Sequence, residues 1–130
     1  MLVFHGVDGK GWEALPGSLL NEYFQYIRKN ENKAWIATFG DVAKYMKERM
    51  SSTVDANMNG DKISVSLKHS LDKLYDLPVT MKTYVPAKWK SVTLKQGGNT
   101  KNLTVKKDSS GSYVMYRLEP NKEGAELSGK

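Results

Sequence analysis

The chain has 130 residues, 39% of them hydrophobic, with no cysteine and a formal net charge of +6. That is the length of one ordinary domain with enough apolar residues for a core, and the absence of cysteine excludes a disulfide scaffold and any thiolate metal site. No run approaches the roughly 18 consecutive apolar residues that would span a bilayer, so no membrane partner is expected, and the first residues lack the basic and long apolar stretches of a signal peptide.

The charge is unevenly placed. Residues 1–60 carry seven Lys/Arg and seven Asp/Glu, whereas residues 61–130 carry thirteen and seven. The lysines of the second half are spaced at intervals, with no basic patch interleaved with aromatics, so no nucleic-acid partner is expected. They suit instead the solvent faces and edges of strands.

Along the chain, Leu2, Val3 and Phe4 form a short apolar run ending at His5, expected as a strand, and Gly6, Asp8, Gly9 and Gly11 follow as a loop. Over residues 18–30, Leu20, Tyr23, Phe24 and Ile27 recur at helical spacing, with Pro16, Gly17 and Ser18 where a helix begins. Residues 35–37, Trp-Ile-Ala, read as a strand buried on both faces. Thr38, with Asp41 three residues on, resembles a capping box, and Val42, Tyr45, Met46 and Arg49 mark a second helix. Strand alternating with helix predicts a parallel sheet. Two strands do not make a self-sufficient parallel domain, so further elements are expected upstream.

Residues 51–60 are polar, carry the turn pair Asn59-Gly60, and are expected to be a linker. Beyond them the period becomes two. Ile63, Val65 and Leu67 alternate with polar residues, as do Leu77, Val79 and Met81, then Val92 and Leu94, Leu103 and Val105, and Val114, Tyr116 and Leu118. Turn residues separate these runs: Pro86, Gly97-Gly98, Asp108 with Gly111, and Pro120-Asn121. The pattern predicts an antiparallel, β-sandwich-like domain over residues 61–130 with one face of each sheet buried.

The run F-H-G-V-D-G over residues 4–9, Gly11-Trp12 and W-I-A-T-F-G-D-V-A-K-Y over residues 35–45 resemble the end of the catalytic domain of polysaccharide deacetylases, the NodB-homology or carbohydrate esterase family 4 enzymes. Residues 66–72 (S-L-K-H-S-L-D) and 77–86 (L-P-V-T-M-K-T-Y-V-P) are similar to the β extension that follows some of these domains. The resemblance implies an α+β chain: a short β-α-β-α remnant of a (β/α) barrel at residues 1–50, the linker, and an accessory β domain. It implies a complete parent, of bacterial export or cell-envelope type, that removes acetyl groups from a carbohydrate polymer. A divalent metal, zinc in the usual case, is the implied cofactor of that parent, polarising the acetyl carbonyl and activating water.

Only one catalytic role carries over. A histidine at a late strand end is implied as the general acid, and it matches His5, whose imidazole also suits proton transfer near neutral pH. The family's Asp-Asp and His-x3-His motifs have no counterpart here, so no metal ligand is assigned and the chain alone is expected to be inactive. Trp12, in the glycine-rich loop, is a candidate for stacking on a sugar ring.

Other residues have plainer readings. Asp8 is expected to shape its loop rather than orient His5. Trp89 is expected in the core or at its rim. His69 shares strand parity with Ile63, Val65 and Leu67, and a hydrogen-bonded structural histidine is preferred to a ligand. Asn102-Leu-Thr104 matches a glycosylation acceptor by chance. The expected partners are the polymer, the upstream catalytic barrel and, through residues 1–50, a second copy of the chain. The alternative is an independent, non-catalytic carbohydrate-binding or structural β module.

Overall fold

A computed structural model describes residues 3–130, so Met1 and Leu2, the latter expected in the first strand, lie outside the described residues. The architecture is α+β, with two helices and three antiparallel sheets and no closed barrel among the described residues. The chain divides inside its second helix into two compact units, the first ending at Val42 and the second running from Ala43 to Lys130.

In the first unit, Val3 and Phe4 join no strand. The loop behind them instead forms a small hairpin of β1 (Gly6–Val7) and β2 (Lys10–Gly11), with Gly6 opposite Gly11. Helix α1 (Gly17–Lys29) follows, close to its expected span, and then α2 (Phe39–Ser51). Thr38 caps α2: its Oγ1 accepts the Asp41 N–H at 3.2 Å and donates to the Asp41 carboxylate at 2.8 Å. The strand expected over residues 35–37 does not form. An apolar run becomes a strand only where a neighbouring strand completes its ladder; here Trp35 and Ile36 line an open groove instead.

The second unit holds β3 (Thr53–Asn59), β4 (Lys62–Lys68), β5 (Val79–Tyr84), β6 (Ser91–Gln96), β7 (Asn99–Thr104), β8 (Lys106–Asp108), β9 (Gly111–Leu118) and β10 (Ala125–Gly129). One sheet has the order β3-β4-β10-β6-β7 and the other the order β5-β9-β8. Strand β3 occupies most of the stretch expected as the linker 51–60. Its polar composition reads as a loop, but hydrogen bonding to β4 along its whole length makes it a strand, from Thr53 opposite Lys68 to Asn59 opposite Lys62.

The inner faces of the two sheets share one core. Val65, Val92 and Leu127 come from the five-stranded sheet, Val114 and Leu118 from the three-stranded one, and Trp89 lies between strands in the same cluster. The side chains that the period-two pattern predicts to point inward are buried, except Leu77, Met81 and Val105, which are half-buried; Met81 and Val105 pack against the core. The alternation is legible because each full burial of a Val or Leu is worth roughly 1.5–3 kcal/mol, a gain that a one-residue slip would forfeit all along the strand.

Candidate functional site

The structure brings together two of the sequence-derived candidates. The β1–β2 hairpin reverses the chain, so His5, just before β1, meets Trp12, just after β2. Their rings pack edge to face, 5.2 Å between centroids at 75°. Both are exposed, Trp12 by 67%. Asp8 does not serve His5. At φ 51° it turns the hairpin, and its Oδ1 accepts the Gly17 N–H at 2.7 Å, satisfying a donor at the start of α1.

Around this loop several large apolar side chains of the first unit are exposed among the described residues. Helix α1 buries no residue. Phe4, Tyr23, Phe24, Trp35, Ile36 and Phe39 line an open groove of about 770 Å³. A sugar ring stacking on Trp12 would present its substituents to an imidazole in contact with the same indole.

A second assembly lies in the other unit, and most of it was not foreseen. Glu48, from the last turns of α2, is wholly buried. Its Oε2 accepts the Leu77 N–H at 3.3 Å, and its Oε1 lies 3.8 Å from Nε2 of His69, whose side chain is also wholly buried. Nε2 lies 3.2 Å from Asp76 Oδ1. Asn121 joins the segments: its Oδ1 accepts the His69 N–H at 3.0 Å, and its Nδ2 donates to Asp76 Oδ1 at 3.2 Å. Burial pushes the Glu48 carboxyl above the usual glutamate range and Asp76 adds to this, while the Leu77 N–H and His69 pull the other way.

Parity along β4 pointed His69 inward. Glu48, Asp76 and Asn121 were missed, since only the fold joins residues so distant in sequence. One signal existed for Glu48: it follows Tyr45 by three residues, on the helical stripe that faces the sheet.

His69 is buried with Nδ1 occupied by an N–H donor and Nε2 facing carboxylates, and His5 has Trp12 as its ring neighbour. Among the described residues, no group of three His, Asp or Glu side chains could hold a metal ion. Trp89 is a core residue, 3% exposed. Tyr84 and Tyr113 form an aromatic pair on the surface, but Lys82 covers both rings and is itself bonded to Asp108 at 2.5 Å. Compared with protein-family models, curated proteins and solved structures, the chain matches none.

Proposed function

We propose that this chain is the C-terminal portion of a metal-dependent polysaccharide deacetylase, non-catalytic by itself, with residues 1–50 completing a catalytic barrel and the β domain serving as an accessory module. The observation that carries the reading is the uncovered apolar face of the first unit, where α1 buries nothing and Trp35 and Phe39 stand 58% and 71% exposed. Exposed aromatics in such density mark a surface made to be covered, and the motif over residues 35–45 supports a deacetylase barrel as the cover. In this reading the metal is held by that upstream barrel.

In this reading His5 protonates the leaving group, and Trp12 stacks on the neighbouring sugar while holding the imidazole by its edge. The test has two arms. The 130-residue chain is assayed on acetylated chitin and xylan oligomers with zinc added, and no acetate release is expected. In the full-length protein, His5→Ala is expected to lower kcat by about 10²–10⁴-fold, the usual contribution of a positioned acid, and Trp12→Ala chiefly to raise KM. Metal-dependent acetate release by the chain, or unchanged turnover in the His5→Ala parent, would overturn the proposal.

The self-contained core of the second unit favours one alternative, an independent carbohydrate-binding module. Retardation of the isolated chain on glycan-containing gels would select it.

A further inference from the structure

The two sheets have four edge strands, and three carry lysine: Lys101 on β7, Lys82 on β5, and Lys106 and Lys107 on β8. Edge lysines obstruct pairing with another chain. Strand β3 has none. It has no proline, its single charge is Asp55, and all seven of its residues are exposed.

The hairpin fixes which backbone groups β3 offers. Asn59 and Lys62 face each other across a two-residue turn, Gly60-Asp61, in which Gly60 takes φ 59°. In such hairpins the flanking pair exchanges both hydrogen bonds, so alternate residues turn their N–H and C=O groups away. On β3 those are Val54, Ala56 and Met58, and among the described residues nothing bonds that side of the strand. Their side chains share the inner face with Leu67, Val65 and Ile63, yet at the sheet margin Val54 and Met58 remain 47% and 58% exposed.

We infer that β3 is a dimerisation edge, at which two copies of this chain pair antiparallel about Ala56. The strand is complementary to itself in this register. A two-fold axis through Ala56 sets Val54 opposite the Met58 of the other copy and Ala56 opposite itself, so the residues with outward backbone groups meet and about six hydrogen bonds form. On the outer face Asp55 comes opposite Asn57, a carboxylate against an amide. The two Asp55 residues lie only on a diagonal, roughly 7–8 Å apart. The apolar stripes join into one, and the pairing is isologous, so it closes at two copies. The lysines on the other edges stop the sheet from growing further. This interface uses none of the residues of the apolar groove and does not depend on the carbohydrate reading.

Because the chain has no cysteine, a single introduced thiol reports on the register. Ala56→Cys is expected to cross-link two chains on mild oxidation, since a hydrogen-bonded antiparallel pair sets Cα atoms about 5.5 Å apart, within disulfide reach. Thr100→Cys on β7 is expected to give no such product. In sedimentation experiments the unmodified chain is expected to dimerise with rising concentration. Ala56→Lys places like charges face to face and is expected to weaken the dimer by about a hundredfold, with the circular dichroism spectrum unchanged. A chain that stays monomeric at its highest soluble concentration overturns the inference. So does a dimer that Ala56→Lys leaves intact and Ala56→Cys fails to cross-link, the result expected if the groove of the first unit joined the copies.

Discussion

Nδ1 of His69 accepts the Leu71 N–H at 3.3 Å, which leaves Nε2 to carry the ring proton. The Asn121 side-chain nitrogen lies 3.2 Å from the same Nδ1 and fits as a second donor. The Nε2–H therefore faces Asp76 and Glu48. Nitrogen-15 spectra of histidine-labelled protein are expected to show His69 as the Nε2–H tautomer, and an Nδ1–H signal would refute this arrangement of the cluster.

Glu48 anchors the last turns of α2 to the β domain by accepting from the loop after β4. Glu48→Ala removes the acceptor of the Leu77 N–H and leaves a cavity beside the buried His69, and is expected to cost about 2–5 kcal/mol. Glu48→Gln retains one acceptor oxygen and is expected to cost about 1–2 kcal/mol. Urea unfolding followed by circular dichroism measures both, and equal losses would mean that the hydrogen-bonded oxygen is not what holds the helix.

The same carboxyl makes stability depend on pH with a definite sign. Its folded pKa is raised, chiefly by burial, so the folded state holds the proton more tightly than the unfolded chain. The resulting stabilisation is fully present below the unfolded pKa and is lost as pH rises through the folded one. Relative to Glu48→Gln, the unmodified chain is therefore expected to gain stability as pH falls from neutral towards the usual glutamate range. A difference that does not vary between those conditions would show that Glu48 does not titrate differently on folding.

Strand β9 supplies a contrast within a few residues. Leu118 is fully buried, whereas Met115, on the other face, is exposed. Leu118→Ala is expected to cost about 2–5 kcal/mol, the range for a buried leucine whose cavity closes only in part. Met115→Ala is expected to change stability by less than about 0.5 kcal/mol. Comparable losses from the two would mean that the strand is out of register.

Gly129 passes so close to the Trp89 indole that a Cβ there would fall within the ring. Gly129→Ala is expected to cost about 1–3 kcal/mol by overpacking and to displace the one tryptophan that is buried, Trp89, while Trp12 and Trp35 stay exposed. Acrylamide quenching is the readout. It is expected to reach two of the three tryptophans in the unmodified chain and all three in the variant. A variant with unchanged quenching and stability would show that β10 can shift to make room.

Legibility followed the physics of burial. Strands β4, β5, β6 and β9 announced themselves, because each buries one face and a buried face writes a period of two into the sequence, whereas β8, exposed at all three residues, left no such pattern. Strand β3 went unread, since at the margin of its sheet neither face is buried, and polar residues surround the alternation of Val54, Ala56 and Met58 that does point to a strand. The run over residues 35–37 misled for the opposite reason: its hydrophobicity marks a surface, and apolar character does not say what covers it. His5 and Trp12 were singled out separately, and the hairpin that joins them was hidden because two-residue strands have no periodicity. The Glu48–His69–Asp76–Asn121 cluster draws on four segments, and no local pattern encodes such a meeting.

Strand β10 lies between β4 and β6, bonded to both. During synthesis the ribosome therefore delivers the middle of the five-stranded sheet after all of its neighbours. Until then, the hairpins β3–β4 and β6–β7 wait as separate pieces with their apolar faces bare, and an isolated hairpin is marginal in water. Translation that stalled before Ala125 would leave a nascent chain unable to join its two halves, a natural substrate for chaperones and proteases.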